Sequence, residues 1–267
     1  MDNETSQKNG GQRGVQHHVY LQLQADLGVT KHLGGRAATV ELLELCHIGP
    51  GKYVLDVGCG VGFSSVFLAR QYGCRVSGVD ALDRMIERAR ERVKRARVED
   101  KVELRVADAQ SLPFEDDLFD IVLCESVLPF VPDQAKAVRE FVRVAKAGGF
   151  VGLNESTWTH EPPPGERERI ADALGGPATI GHPEQWQALL VQAGLHDVTM
   201  RLHPVTSRSE VLARVQQVGL RGTLRVFWRG YRLARSKPEY RELLRKTLGE
   251  RAIVPESYAC GLYVGQK

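Results

Sequence analysis

The sequence has neither a long apolar run nor paired cysteines, and each shortage excludes a class of protein. No stretch of its 267 residues approaches the ~18–20 consecutive apolar residues that span a bilayer. Its five cysteines are scattered and form no C-x-x-C pair, so neither a metal site nor a redox motif is predicted. Thiols in this pattern are typical of a reducing compartment, and the polar first residues contain no apolar signal segment. We therefore expect a cytoplasmic protein.

The composition excludes a globally disordered chain. Hydrophobic residues make up 42% and charged residues 26%, both ordinary for globular proteins. The charge is unevenly distributed, because residues 201–251 hold 13 basic and 4 acidic side chains. That stretch carries +9 within a total of +3, which leaves −6 on the rest. Such segregation indicates a contact surface for an anionic partner.

Short apolar runs alternate with amphipathic stretches through the first two thirds of the chain. Strands are predicted at 53–57, 75–79, 101–107, 120–124 and 150–154, with helices at 36–46, 63–72, 82–97 and 132–145. Later residues predict a stiff linker at 161–165, a helix at 183–193 and a strand at 196–202. A basic helical stretch follows at 208–248, broken near 219–222, and a closing strand at 258–264. The alternation predicts an α/β fold with a parallel sheet covered on both faces.

The most informative segment is the glycine loop Val54–Gly62, which follows a buried strand and opens a helix. Its glycines permit a tight turn and a close approach of a ligand to the backbone. Phe63 occupies the place of the third glycine in a dinucleotide fingerprint, and Asp56 would repel a pyrophosphate. A nicotinamide-dependent oxidoreductase is therefore disfavoured.

Three carboxylates follow three successive predicted strands. Asp56 can accept hydrogen bonds from a cationic amino group, and Asp80 can accept both hydroxyls of a ribose. Asp108 is placed to accept from the exocyclic amine of an adenine. In open parallel sheets such ligands lie across the carboxyl ends of the strands. The pattern predicts a ligand with an amino group, a ribose and an adenine, and no phosphate.

These motifs resemble those of class I S-adenosylmethionine-dependent methyltransferases, of the small-molecule type that acts on quinones, sterols and tocopherols. The resemblance rests on VLDVGCGVG, GVD, ADAQSLPF, FDIVLCESVLPF and REFVRVAKAGG, and it covers about residues 34–157. It implies a Rossmann-like seven-stranded sheet in the order 3-2-1-4-5-7-6 with an antiparallel last strand. It also implies S-adenosyl-L-methionine as the cofactor, bound by Asp56, Gly58, Cys59, Gly60, Gly62, Asp80, Ala81, Leu82, Asp108, Ala109 and Glu125.

The resemblance and the composition together divide the chain into segments. Residues 1–14 are expected to form a disordered tail and 15–35 an N-terminal lid. The methyltransferase core is expected at 36–205 and 253–267. Residues 206–252 would form a basic helical insertion between the sixth and seventh strands that caps the substrate, with Phe227, Trp228 and Tyr231 as its apolar wall.

Methyl transfer is an in-line displacement that requires alignment and a dry cleft, with a base where the acceptor starts protonated. Candidates for direct participation are Glu125 and Glu155, at the ends of the fourth and fifth strands, and His182 on a loop. We expect an anionic or amphipathic small-molecule acceptor and no specific nucleic acid. Contact with an anionic membrane stays open, and so does the oligomeric state. Two alternatives stay open, a non-catalytic cofactor-binding protein and methylation of nucleic acid through the basic helices.

Overall fold

The computed structural model describes residues 19–29, 32–248 and 254–267. The predicted tail 1–14 lies outside the described residues, and so does the beginning of the predicted lid. Over the described part, no helix has the length and apolar composition that crossing a bilayer requires.

Seven strands form a single sheet in the order β3-β2-β1-β4-β5-β7-β6. Strands β3, β2, β1, β4 and β5 pair in parallel, and β7 is antiparallel to both β5 and β6. The predicted strand order and the antiparallel last strand are therefore confirmed. The strands are β1 Tyr53–Val57, β2 Arg75–Asp80, β3 Val102–Val106, β4 Phe119–Glu125, β5 Ala145–Trp158, β6 His196–Pro204 and β7 Tyr258–Gln266.

Helices cover both faces of the sheet. Residues 19–27 form α1, and α3 continues into one π-helical turn at Leu68–Tyr72. The other helices are α2 Gly35–Leu45, α3 Phe63–Phe67, α4 Asp83–Ala96, α5 Gln134–Val144, α6 Glu166–Ala173, α7 Pro183–Gln192, α8 Ser207–Ser236 and α9 Pro238–Leu248.

The two faces of the sheet have separate apolar cores, because successive side chains of a strand point in opposite directions. Val54 of β1 packs in the cluster that contains Leu42 of α2 and Val93 of α4. Its neighbour Leu55 packs in the cluster that contains Phe141 of α5 and Trp186 of α7. Both strand residues are fully buried, as expected for a central strand of an α/β sheet.

Strand β5 is longer than the predicted 150–154. Helix α5 ends at Val144, and β5 begins at the next residue and runs to Trp158. Gly149 follows the predicted helix 132–145, but it lies inside β5, where an added Cβ would be 2.9 Å from the carbonyl oxygens of Asp120 and Lys146. The glycine is therefore required by a close approach of β4, a tertiary contact that the sequence pattern does not reveal.

The insertion between β6 and β7 is helical, as expected. Helix α8 bends at Gly219, whose φ of 71° and ψ of 167° lie outside the helical region, so the predicted break is confirmed. Helix α9 packs against α1 through Tyr240 and Leu243, which meet Tyr20 and Leu23. The insertion thus supports the N-terminal helix from outside the core.

Candidate functional site

A cavity of about 430 Å³ opens at the carboxyl ends of the parallel strands. It is lined by the segments that follow β1, β2, β3 and β4, together with α1 and the far end of β5. This is the position at which open α/β sheets bind ligands. The cavity therefore brings together side chains that are as far apart as Tyr20 and Tyr258 in the chain.

The glycine loop forms one wall of the cavity through Gly58 and Gly60. Their φ angles are 70° and 53°, in the left-handed region that favours glycine. A Cβ on Gly58 would also lie 2.1 Å from the Val127 Cγ2, in the loop after β4. The glycine loop therefore needs glycine at position 58 for two reasons, its backbone conformation and its contact with the loop after β4.

Asp80, at the end of β2, lines the cavity next to Gly60. The backbone amides of Gly60 and Leu82 each donate a 3.0 Å hydrogen bond to its carboxylate. Burial raises the pKa of Asp80, although the two amide hydrogen bonds oppose that shift. The carboxylate is thus held in one orientation at the place where a ribose diol was predicted to bind.

The segment after β3 contributes Asp108, Ala109 and Gln110 to the cavity. The Gln110 backbone amide donates a 2.8 Å hydrogen bond to the Asp108 carboxylate, and the Gln110 side-chain amide donates to both of its oxygens at 3.1 Å. The predicted residues Ala81 and Leu82 lie across the same region. The predicted adenine-binding side chains therefore share one part of the cavity.

Glu125, at the end of β4, lines the cavity and is held on both carboxylate oxygens. The hydroxyls of Thr39 and Ser64 each donate a 2.7 Å hydrogen bond to it, and the Asn154 side-chain amide donates at 3.3 Å. The His32 Nε2 lies 4.0 Å from the same carboxylate. A carboxylate with this many partners is a fixed negative charge rather than a mobile one.

Three predicted cofactor-binding residues do not line the cavity. Asp56 is 2% exposed and accepts a hydrogen bond from Ser65, and burial raises its pKa to about 7. The Cys59 amide donates to the Val79 carbonyl. Gly62 immediately precedes α3, and an added Cβ there would lie 3.1 Å from the Ala89 Cβ. These three residues stabilise the glycine loop on the side away from the cavity, through contacts with β2, α3 and α4.

Glu155 also lies away from the cavity, although β5 carries it to the expected end of the sheet. Its side chain is fully buried, and one oxygen accepts 3.2 Å hydrogen bonds from the amides of Val127 and Leu128. Its other oxygen has no hydrogen-bond partner, and burial raises the pKa of Glu155 to about 8. Glu155 therefore supports the turn after β4, which forms a wall of the cavity.

His182 precedes α7 and lies outside the cavity. Its amide donates a 2.8 Å hydrogen bond to the Gln185 side chain, as in a helix-capping arrangement. Its ring lies 3.6 Å from the exposed Glu161 and 3.3 Å from Arg167. His182, a predicted candidate for direct participation, therefore does not contribute its side chain to the cavity lining.

Several cavity residues were missed by the sequence analysis. They are mostly apolar or aromatic and come from loops, from the first turn of α4 and from the α6 end: Leu33, Met85, Val127, Phe130, Val131 and Leu174. Ser156 was also missed, and the Tyr258 hydroxyl donates a 2.8 Å hydrogen bond to it. Tyr20, which lies within the predicted lid 15–35, lines the cavity from α1.

The aromatic residues of α8 were expected to form the wall of the acceptor pocket, and that expectation is wrong for the described residues. Phe227, Trp228 and Tyr231 are 65%, 59% and 50% exposed, and none lines the cavity. Helix α9 packs instead against α1, which in turn contributes Tyr20, Leu21 and Gln24 to the cavity lining.

Comparison with known proteins identifies the fold and its chemistry. Residues 55–153 match the family described as a methyltransferase domain. Residues 55–153 thus carry a methyltransferase domain, in agreement with the resemblance to class I S-adenosylmethionine-dependent methyltransferases. The predicted methyl transfer and the predicted cofactor S-adenosylmethionine agree with this match and with relatives that are named as methyltransferases.

Two curated relatives and a solved structure illustrate the likeness. This methyltransferase is 33% identical to methyltransferase GfsG of Streptomyces halstedii, over 60% of this chain and 59% of that one. It is 29% identical to the 27-O-demethylrifamycin SV methyltransferase of Amycolatopsis mediterranei, over 67% and 65% of the two chains. The chain thus spans less than two thirds of the length of these relatives.

The solved structure shares the fold. Phosphoethanolamine N-methyltransferase 2 of Haemonchus contortus, in complex with S-adenosyl-L-methionine, matches with a TM-score of 0.68 and 20% identity. The match covers 94% of this chain and 57% of that one. Neither the family nor these relatives support the two alternatives, a non-catalytic binding protein and a nucleic-acid methyltransferase.

Proposed function

We propose that this methyltransferase acts on an amphipathic, largely apolar acceptor that carries no negative charge at its reacting end. The observation that carries the proposal is the charge of the cavity. Among the described residues that line it, the charged side chains are Asp80, Asp108 and Glu125, and no lysine, arginine or histidine is present. Three carboxylates attract a cationic cofactor and repel an anionic acceptor.

The donor end of the cavity fits S-adenosylmethionine, which supplies a methyl group on a positively charged sulfur. Gly58 and Gly60 would let the methionine part approach the backbone. Asp80 would bind the ribose and Asp108 the adenine amine, with Ala81, Leu82 and Ala109 beside the ring. The orientation of the Asp80 carboxylate supports this fit, because the backbone amides of Gly60 and Leu82 fix it without a ligand.

The acceptor end is apolar with a few hydroxyl groups. Tyr20, Leu33, Phe130 and Leu174 contribute aromatic and aliphatic surface, and Ser156 adds a hydroxyl. Such a surface favours a molecule with an apolar body, since burying it removes apolar area from water. The N-terminal helix α1 supplies Tyr20, so the predicted role of 15–35 as a lid is retained in this proposal.

We assign Glu125 to positioning the cofactor rather than to removing a proton. Its oxygens already accept from Thr39, Ser64 and Asn154, so the carboxylate serves as a fixed charge near the methionine part. The electrostatic attraction of this group for a cationic ligand is strengthened by the dry surroundings. Alignment in a water-poor cleft then supports the displacement.

A matched pair of acceptors tests the acceptor class. The full chain is incubated with S-adenosylmethionine and two molecules of one apolar skeleton, ending in an alcohol or amine in one and in a carboxylate in the other. Formation of S-adenosylhomocysteine is measured. We expect faster turnover of the uncharged or cationic member. Faster turnover of the carboxylate throughout a series of skeletons would overturn the proposal.

We further propose that α8 contacts an anionic membrane surface. Leu224, Phe227, Trp228 and Tyr231 recur at helical spacing and are at least half exposed, and we call them the aromatic face. No acidic residue occurs from position 211 to 238, and exposed arginines flank the aromatic face, namely Arg221, Arg225, Arg232 and Arg235. Aromatic residues beside arginines are typical of interfacial helices. This contact would place the enzyme at the membrane surface, where it would bind an amphipathic acceptor.

Vesicle flotation tests this contact. The full chain is mixed with vesicles of phosphatidylcholine alone or with added phosphatidylglycerol. We expect binding to the anionic vesicles and a large loss in the double variant Phe227→Ser with Trp228→Ser. The control is Val191→Ser, which removes an exposed apolar side chain from α7. Equal binding of the double variant and the control would contradict the proposal.

A further inference from the structure

A second cavity, of about 310 Å³, lies between α4 of the core and α8 of the insertion. Arg88, Arg92 and Arg95 line it from α4, and Arg225 and Arg229 line it from α8. The acid in its lining is Glu91. It shares no lining residue with the cofactor cavity. We propose that this arginine cleft is a binding site for a phosphoryl anion, a phosphate monoester or a diphosphate.

Among the described residues, the arginine cleft holds more positive charge than its acidic neighbours neutralise. The Arg92 guanidinium donates to the carbonyl oxygens of Val61 and Gly28, at 2.7 and 3.0 Å, and lies 3.4 Å from the Phe63 ring centroid. These partners orient the group without offering a negative charge. Burial, together with the nearby Arg95, lowers the pKa of Arg92 to about 10. A bound anion would remove this electrostatic cost.

The arginines near the α8 side of the cleft also lack sufficient acidic partners. Within the described residues, Arg229 has no carboxylate within 4.0 Å, and burial and Arg88 lower its pKa. Arg88 contacts Glu91, but its Nε is buried and has no hydrogen-bond partner. The second acidic neighbour of Arg88 is Asp26, whose Oδ1 lies 3.8 Å from the Arg88 Nη2. Asp26 also pairs with Arg84 and Lys237.

The chemistry of the guanidinium groups selects the ligand class. Arginine presents a rigid fork of donors that matches two oxygens of a phosphoryl group. Five such groups from two helices surround a small volume, which fits a compact anion with several oxygens better than one planar carboxylate. A ligand bridging Arg92 and Arg229 would hold α8 against α4. It would therefore stabilise the insertion on the core.

Binding is tested on the full chain with inorganic pyrophosphate. Isothermal titration is run with pyrophosphate, and sodium chloride of equal ionic strength serves as the reference in a thermal-unfolding series. We expect saturable binding and a rise in Tm that chloride does not reproduce. Arg229→Gln should weaken pyrophosphate binding at least about tenfold. The matched control, Arg232→Gln, removes an exposed arginine of α8 outside the cleft and should bind like the unaltered chain.

Each variant is also titrated with S-adenosylmethionine, which reports a folded core independently of the cleft. Unchanged cofactor affinity with lost pyrophosphate binding in Arg229→Gln supports the site, whatever becomes of the proposed acceptor. Absence of saturable pyrophosphate binding in the unaltered chain would overturn the inference. Equal binding by Arg229→Gln and Arg232→Gln would overturn it as well.

Competition distinguishes a soluble ligand from a lipid headgroup. Glycerol 3-phosphate in solution and vesicles that contain phosphatidic acid are each added against bound pyrophosphate. Displacement by the soluble ester identifies a soluble phosphorylated ligand, and displacement by the vesicles alone identifies a headgroup. Displacement by neither competitor would contradict a phosphate-monoester site.

Discussion

Tyr240 of the inserted helix α9 donates a 3.0 Å hydrogen bond to Asp26 of α1, although 214 residues separate them in the chain. The same carboxylate accepts from Arg84 of α4 and from Lys237. Asp26 therefore joins the N-terminal helix, the core and the insertion at one point. Because α1 lines the cavity at the carboxyl ends of the parallel strands, this junction links the insertion to that cavity.

Tyr240→Phe should loosen this junction. The change removes one hydroxyl from a buried ring and leaves its packing intact, so we expect a loss of about 1 kcal/mol in the free energy of unfolding. Limited proteolysis should show faster cleavage in the insertion than in the sheet. Equal protection of the insertion in the variant and the unaltered chain would show that the hydrogen bond does not hold it.

Asp26 should also make stability depend on acid pH. Burial raises its pKa, but the hydrogen bonds from Arg84, Tyr240 and Lys237 outweigh burial and hold the pKa below its ordinary value. A lowered carboxylate pKa contributes stability that is complete above the ordinary pKa of ~3.9 and is lost as the pH falls through the folded value. Asp26→Asn should therefore flatten the acid limb of urea-unfolding curves, and an unchanged limb would contradict this.

Glu155 should have the opposite pH dependence. Burial raises its pKa to about 8, so its contribution to stability is complete below the ordinary pKa of ~4.3 and is lost as the pH rises through 8. Glu155→Gln retains an oxygen for the amides of Val127 and Leu128 and cannot ionise. The unfolding free energy of the unaltered chain should thus decline more steeply between pH 5.5 and pH 8.5 than that of the variant. Parallel curves would refute the assignment.

Asp80→Ala should weaken S-adenosylmethionine binding at least about tenfold, because it removes the proposed acceptor of the ribose hydroxyls. Asp83→Ala, three residues later, removes an exposed carboxylate that does not line the cavity and should leave binding unchanged. Titration calorimetry measures the affinity and thermal unfolding reports the fold. A collapse of Tm with unchanged affinity would show that Asp80 is structural.

Gly58→Ala in the glycine loop should lower the free energy of unfolding by more than the strain of its backbone conformation alone. The new Cβ would lie 2.1 Å from the Val127 Cγ2, in addition to the strain of a positive φ. Gly73→Ala is the matched control, because its φ is 71° and no atom lies within 4 Å of an added Cβ. We expect about 1 kcal/mol of destabilisation for the control and 1–3 kcal/mol more for Gly58→Ala. Equal unfolding free energies for both variants would exclude the contact.

The sequence by itself determined the order and nature of the core elements. Val54 and Leu55 lie in a continuous apolar run because a central parallel strand is buried on both faces. The glycines of the loop and Asp80 at the strand end follow from local geometry, since a turn and a strand terminus are specified within a few residues. The break at Gly219 was predictable for the same local reason.

The tertiary structure decided which of these side chains reach the cavity. Asp56 and Glu125 both belong to central strands, but Asp56 turns to Ser65 beneath the loop and Glu125 faces the cavity between Thr39 and Ser64. Glu155 supports a turn, and the aromatic face of α8 is exposed and does not line the cavity. Periodicity reports the repeat of the backbone, whereas burial and charge depend on distant segments such as α1 and α9 meeting in space.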